Sequence, residues 1–456
     1  MFEKPTTPPS DSPSSTPQGS GIVRVVAASM AGTTVEWYDF FLYGVAAAVV
    51  FPAVFFPSDD PVAGTLLALG TFAIGFLARP LGGLVFGHYG DRIGRKKLLV
   101  ISLVAMGVAT FLIGLLPGYA TIGVAAPLLL VLLRLIQGFA LGGEWGGAVL
   151  LVSEHGDPAR RGFWASWPQA GVPLGQLLAN GLLFALAAVQ DEATFQAWGW
   201  RIPFLLSAVL VLIGLWIRLS VEESPVFRAA QARAAERAAA GERETIPIVE
   251  VFRRYPREVF VAMGARFAEN VSYYIFTIVV TTYATQRLEL TSAFILGAVL
   301  IGAAVHLVTV PLWGALSDRF GRKPLYLLGA AGVGLWSFAF IALLDTRNFG
   351  AIVLAIVGGL IFHGAMYGPQ AAFLSELFGT KVRYSGVSIG YQLASIAAGG
   401  LAPIIAVALY TTFDSGYAVS VYVALSAVIT LVAVAAYSET RHRDLAADDG
   451  MTPAGR

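Results

Sequence analysis

The chain has 456 residues, of which 56% are hydrophobic and only 13% charged, with 50 glycines and a mean hydropathy of +0.71. Soluble domains carry about 25% charged residues and about 7% glycine, so this composition excludes a soluble enzyme and places the chain in lipid. A formal charge of +1, zero cysteines and five histidines without a His-x-x-x-His or His-x-x-Glu spacing give no basis for nucleic-acid binding, disulfides, thiol chemistry or a metal site, and no cofactor is expected.

Residues 1–21 are rich in Pro, Ser and Thr, cannot bury a core and read as a disordered tail without a cleaved signal. Twelve apolar segments follow, at 24–51, 62–86, 98–116, 123–153, 163–189 and 201–220, then 257–285, 291–313, 325–344, 350–374, 385–411 and 416–437. Each is near or above the roughly 20 residues that cross a bilayer as a helix, and open strands are excluded because lipid offers their backbone no partner. The expected organisation is a six-helix bundle over 22–220, a cytoplasmic linker over 221–256, a second six-helix bundle over 257–440 and a tail over 441–456. The linker's Ala-rich, mixed-charge run from Arg228 suits short surface helices. With both termini in the cytoplasm, 24 of the 30 basic residues fall on that side, three outside (Arg201, Arg287, Arg347) and three within spans (Arg79, Arg134, Arg266). The excess of Lys and Arg fixes this orientation.

The two halves repeat. The run from Gly87 through Asp91, Arg92, Gly94, Arg95 and Lys96 reappears from Gly314 through Asp318, Arg319, Gly321, Arg322 and Lys323, 227 residues on. Glu154 followed by Arg161 is matched by Glu376 followed by Arg383, and Glu223 after the sixth span is echoed more weakly by Glu439 after the twelfth. One six-helix unit has been duplicated.

This duplicated Gly-x-x-x-Asp-Arg-x-Gly-Arg-Lys motif on a six-plus-six chain resembles the major facilitator superfamily. The resemblance implies an all-α membrane protein with twelve transmembrane helices in two pseudo-symmetric bundles. Within it, Glu36-Trp37-Tyr38-Asp39-Phe40, Arg79-Pro80-Leu81-Gly82-Gly83, Arg134-Leu135-Ile136-Gln137-Gly138 and the run from Gly142 through Glu144 to Gly147 are similar to the metabolite:H+ symporters. That family takes up proline and betaine, 2-oxoglutarate, citrate or shikimate, and the shikimate-transporter-like branch looks nearest. It implies a monomer in the bacterial plasma membrane.

The superfamily pattern implies a cytoplasmic gate. Asp91 pairs with Arg95 and with the start of a helix in the other half, where a carboxylate suits the helix dipole. Asp318 repeats that role, Glu154 and Glu376 accept bonds from Arg92, Arg95, Arg319 or Arg322, and Arg161, Arg383 and Glu223 complete the set. Lys96, Lys97 and Lys323 only set topology.

Ionisable groups inside spans cost about 2.5 to 3.5 kcal/mol each on insertion, so their default reading is functional. They are Glu36, Asp39, Arg79, Arg134, Glu144, Arg266 and Glu269. Glu36 and Asp39 share a face of helix 1, and Arg134, Gln137 and Glu144 share a face of helix 4. An acid opposite an Arg is the arrangement a proton switch needs, with Asp39 the first choice and Glu36 the second. The competing reading is static ion pairs that fix packing, and it has most weight for Glu144, which sits among the close-packing glycines 138, 142, 143, 146 and 147. Arg79 lies eight residues before Gly87, about 12 Å up helix 2, where a guanidinium can grip a substrate carboxylate or bridge to an acid on helix 1 or 4. Its repeat partner is His306.

Arg266, Glu269, Asn270, Tyr273 and Tyr274 share a face of helix 7. Trp37, Gln169, Gln176, Asn180, His363, Tyr367, Gln370, Tyr391 and Gln392 add polar positions, and together these can line an anion cavity or serve as interhelical hydrogen bonds. The reading is proton-coupled import of a small carboxylate-bearing metabolite by alternating access. The alternatives are a proton-coupled efflux antiporter, whose longer helix-5 glycine run is missing at Gln169 to Gly175, and a transport-fold sensor. No nucleotide loop or enzyme triad is visible.

Overall fold

The structure, a computed structural model, describes residues 20–93, 95–142, 152, 157–220, 247–379 and 382–443. Among the described residues it is all-helical, with twelve long helices in chain order: α1 (Ser20–Val49), α2 (Pro61–Ile93), α3 (Arg95–Leu115), α4 (Ala125–Leu141), α5 (Arg161–Val189) and α6 (Arg201–Ser220) in the first half. The second half holds α7 (256–287), α8 (Ser292–Phe320), α9 (Arg322–Leu344), α10 (Phe349–Leu377), α11 (383–412) and α12 (Tyr417–Ala435). Eight of these contain stretches long and apolar enough to cross a membrane; α1, α3, α4 and α7 do not reach that measure. In α1 and α7 the cause is the buried ionisable residues, Glu36 and Asp39 in one and Arg266 and Glu269 in the other. Leu335, Val308 and Val432 are each more than 60% exposed on the outside of the bundle, which suits a lipid solvent and not water.

Hydropathy alone ends α2, α8 and α10 too early, α2 by seven residues from the expected 86 to Ile93. The segment expected to stop at 313 continues as α8 to Phe320, and α10 runs to Leu377, because the polar residues that break the apolar pattern there are hydrogen-bonded inside the bundle. The expected connection at 314–324 is therefore one residue, Gly321, whose φ of +100° joins α8 to α9. Before α7 the chain forms a short helix (Pro247–Arg254).

Prolines interrupt α2 (Pro80), α5 (Pro168, Pro173), α8 (Pro311) and α10 (Pro369), where a lost N–H permits a bend. In α7 and α11 the helix also widens to π-turns, at 275–279 and 283–287 and at 395–400. Two of these begin right after Tyr274 and at Ser395, both beside the central cavities.

Candidate functional site

The first cavity lies within the first six helices. Glu36, Asp39 and Phe40 from α1, Gly75 and Arg79 from α2, Met106 from α3, and Arg134, Gln137, Gly138 and Leu141 from α4 line it. It has room for about one water molecule. Asp39 is 2% exposed; neither carboxylate oxygen has a hydrogen-bond partner within 3.5 Å among the described residues, and its polar neighbours are the Thr110 hydroxyl and the Arg134 guanidinium. The Arg134 guanidinium donates to Gln137 Oε1 at 3.2 Å, and Gln137 in turn donates to Thr110 Oγ1 at 2.7 Å. The same guanidinium lies over the Tyr43 ring at 4.0 Å, and that of Arg79 lies over Phe76 at 4.2 Å and Phe40 at 4.8 Å. The acid of α1 and the Arg of α4 thus face one cavity without a direct hydrogen bond among the described residues, and aromatic faces hold the cations.

The second cavity lies one residue around α1. Trp37 reaches it, together with Val172 of α5, Arg266, Glu269, Asn270, Tyr273 and Tyr274 of α7, His363 and Tyr367 of α10, and Tyr391 of α11. Here the charges are engaged. Arg266 pairs with Glu269 at 2.9 Å, one helical turn away, and donates to Gln370 Oε1 at 2.7 Å, Asn270 Oδ1 at 3.2 Å and Ser395 Oγ at 3.3 Å. Its guanidinium covers the Tyr391 ring at 3.5 Å. Glu269 also meets His363 Nε2 at 3.2 Å and accepts from Gln370 Nε2 at 3.1 Å, and Gln370 donates to the Tyr326 hydroxyl at 2.8 Å. His363 Nδ1 lies 3.0 Å from His306 Nε2, and the Tyr273 ring stacks on His363 at 4.7 Å.

Four glutamines expected among the ligand contacts, Gln169, Gln176, Gln370 and Gln392, line neither cavity, and Gln370 instead holds Arg266 and Glu269. Gln169 donates to the Tyr367 carbonyl at 3.4 Å, Gln176 accepts from the Tyr273 hydroxyl at 3.1 Å, and Gln392 donates to the Gly142 carbonyl at 3.2 Å. Each bond crosses from one half to the other, so these amides join the halves. Asn180 is fully buried, with no partner for either amide atom among the described residues.

At one end of the bundle a clamp joins the halves. The Asp318 carboxylate at the end of α8 accepts from the main-chain N–H groups of Gly162 at 2.7 Å and Phe163 at 2.8 Å, at the start of α5. A carboxylate there meets two orphan amide donors and the positive end of the helix dipole. Arg322 pairs with Asp318 at 2.7 Å and with Glu376 at 3.3 Å, and Arg161 pairs with Glu376 at 3.0 Å. Glu439, the weak echo in the repeat, caps α9 through the N–H groups of Arg322 at 2.9 Å and Lys323 at 3.0 Å, and Thr440 donates to Glu376 at 2.6 Å. Arg319 does not join this clamp: one residue beyond Asp318 it turns about 100° around the helix, is exposed and lies over Phe320. Arg383 donates to the Phe378 carbonyl at 3.2 Å. Glu144, Glu154 and Glu223 lie outside the described residues, as do the side chains of Asp91, Arg92 and Arg95. At the opposite end Gln286 of α7 donates to Thr65 of α2 at 2.6 Å, so the halves touch on both sides of the cavities.

Sequence reading passed over His306, Tyr326, Ser395 and Thr110 as site residues. His306 had a signal, its place opposite Arg79 in the repeat; Ser395 and Thr110 had none, since a lone Ser or Thr on an apolar helix usually bonds its own backbone, and the reach of the Tyr326 phenol to Gln370 depends on tertiary packing.

The profile of the family described as "Sugar (and other) transporter" matches residues 24–449. The chain is 43% identical over 428 residues to the inner membrane metabolite transport protein YhjE of Escherichia coli strain K12, covering 92% of this chain and 95% of that one. It is 41% identical to the shikimate transporter of the same strain, with 89% and 92% covered, and 34% identical to its proline/betaine transporter, with 94% and 86% covered. Among solved structures, the partially occluded inward-open conformation of the xylose transporter XylE from E. coli superposes with a TM-score of 0.70 at 21% identity, over 94% of this chain and 100% of that one. The proton:xylose symporter XylE bound to 6-bromo-6-deoxy-D-glucose gives 0.68 at 19% identity, over 92% and 97%. At that identity the likeness is one of fold. Two six-helix halves, a duplicated helix-end motif and full-length relatives that are themselves transporters agree: the chain belongs to the sugar (and other) transporter family of the major facilitator superfamily, a multi-pass membrane transporter and not an enzyme.

Proposed function

We propose that the protein imports a small carboxylate-bearing metabolite together with protons, by alternating exposure of the central cavities. The observation that carries this reading is Asp39, buried with both oxygens unpartnered among the described residues in a cavity shared with Arg79 and Arg134. An ionised acid buried without partners is costly, and a proton or a cation removes the cost. Arg134 is near enough to hold the ionised form, and Arg79, on its aromatic platform, presents a planar fork to a substrate carboxylate. Shikimate, proline and betaine, named for two of the relatives, all carry a carboxylate.

In this reading Glu36 is the second acid of the proton site, and the Arg266 cluster forms the far wall of the substrate site. The clamp around Asp318 is the cytoplasmic gate, with Asp91 its counterpart. The distribution of basic residues supports cytoplasmic termini, and a relative of the inner membrane supports a bacterial plasma membrane. The functional units are bundles 22–220 and 257–440 of a monomer, joined by the linker at 221–256.

The test is uptake by proteoliposomes of labelled organic acids, zwitterions and sugars, with and without an imposed pH gradient. Concentrative uptake of a carboxylate driven by the gradient is expected. Asp39→Asn, which fixes the neutral state, should abolish concentrative uptake while retaining counterflow of preloaded substrate. Sodium-driven uptake that ignores the pH gradient, or a preference for sugars, would refute the reading.

A further inference from the structure

We propose that the chain His306, His363 and Glu269 is a second proton-binding site, a relay that carries a proton to the Glu269 carboxylate and so releases Arg266 to bind an anion. This rests on the proton-coupled reading above and adds to it a site in the other half of the molecule.

The donors and acceptors dictate the direction. With Glu269 ionised and paired to Arg266, the carboxylate that faces His363 Nε2 at 3.2 Å can only accept, so Nε2 must carry the hydrogen. In a neutral ring Nδ1 is then bare and must accept, so His306 Nε2, at 3.0 Å, carries its own hydrogen. That leaves His306 Nδ1 as the bare acceptor of the chain, and it has no partner among the described residues although His306 is fully buried. A proton arriving at His306 Nδ1 lets Nε2 pass its hydrogen to His363 Nδ1, and His363 Nε2 passes its own to Glu269. One proton enters and one carboxylate is neutralised; both imidazoles end neutral in the opposite tautomer.

The consequence falls on Arg266. Once Glu269 is neutral, the remaining contacts of the guanidinium are with Gln370, Asn270, Ser395 and the Tyr391 ring, none of which carries a negative charge. A buried cation without a counter-ion attracts one, and a substrate carboxylate supplies it. Proton arrival thereby precedes and favours anion binding. The other titratable groups facing the relay are Tyr273 and Tyr274 on α7, Tyr326 on α9, Tyr367 on α10 and Tyr391 on α11, all phenols that stay protonated at physiological pH. Across the half boundary Glu36 and Arg79 act on Tyr391. Tyr273, stacked on His363 and bonded to Gln176 of α5, connects the relay to the other half. The repeat agrees, since Glu269 stands in the helix equivalent to that of Glu36, and His306 in the place of Arg79.

The experiment is pH-jump infrared difference spectroscopy on the purified full-length chain in lipid nanodiscs, without substrate, reading carboxylic-acid C=O bands. The relay predicts a band that Glu269→Gln removes and Asp39→Asn leaves, and that appears about tenfold more slowly or worse in His306→Gln. A band removed by Asp39→Asn alone overturns the relay and leaves the Asp39 reading standing. That Glu269 band without a second band that Asp39→Asn removes upholds the relay and moves the first proton site away from Asp39. No acid band in the parent overturns both. Nitrogen-15 histidine spectra of the parent need no variant: His363 must change from the Nε2–H to the Nδ1–H tautomer as the band appears, and an unchanged tautomer overturns the relay.

Discussion

Arg79 sets a sharp demand on any substrate, because its guanidinium is fixed against two phenyl faces, at 4.2 and 4.8 Å, and its Nε has no acceptor among the described residues. Lysine at this position keeps the charge but loses both the flat stack and the paired donors. Arg79→Lys should therefore weaken binding of the transported acid about tenfold or more, about 1.4 kcal/mol, and Arg79→Ala should nearly abolish it, read by calorimetry. Binding of Arg79→Lys at the affinity of the parent would reduce Arg79 to a packing cation. Buried charges such as Arg79, Asp39 and Glu269 were legible in the sequence because each is expensive in lipid and needs a reason to be there. Their pairing was not: the aromatic platform under Arg134 depends on which rings two other helices, α1 and α2, bring to it.

Between α2 and α4 the contact is backbone on backbone. A Cβ on Gly138 would lie 2.1 Å from the Gly75 carbonyl, and one on Gly82 would lie 1.8 Å from that of Phe139. This close approach puts Arg79 and Arg134 around one cavity. Gly138→Ala should force the helices apart and cost about 1 to 3 kcal/mol, seen as a lowered melting temperature in detergent, while Gly70→Ala on the same α2 meets nothing within 4 Å and should not lower it. Equal melting of the two variants would show that the approach carries no strain. The glycine-rich run of α4 announced a tight contact, since small residues let membrane helices meet. The widened turns of α7 and α11 gave no such sign, because a π-turn is set by what packs against it and not by its own residues.

On the scale of the whole molecule, two six-helix halves meet along a packed seam, α5 against α8 and α10 and the rings of Phe40 and Phe41 against Tyr274 and Tyr273, and the clamp at Asp318 is the polar contact that falls on the repeated motif. The duplicated motif marked Asp318 as a gate residue; that its grip is on the first amides of α5 is tertiary information, since the two segments are 155 residues apart. Asp318→Asn keeps a carbonyl acceptor but gives up the charge and one of two acceptor oxygens, so that end should open more often. The chain has no cysteine, so Ser166→Cys, buried just beyond the clamp, reports opening cleanly. Thiol labelling should be about tenfold faster in the Asp318→Asn background, a loss of about 1.4 kcal/mol of closure. An unchanged rate would show that the clamp does not hold this end shut.

The donors that Asp318 grips belong to the main chain of Gly162 and Phe163, and every amino acid except proline supplies such a donor. The grip accordingly survives mutational drift at Phe163. Gly162 has no such freedom, for a Cβ there would lie 2.4 Å from Arg322 Nη1 and 2.4 Å from Ser317 Oγ. Adjacent positions in one joint thus have opposite latitude, the first closed to almost everything but glycine and the second open to almost everything but proline. Variation in this part of the chain is limited by backbone chemistry, and the charge that these amides hold sits on a different helix.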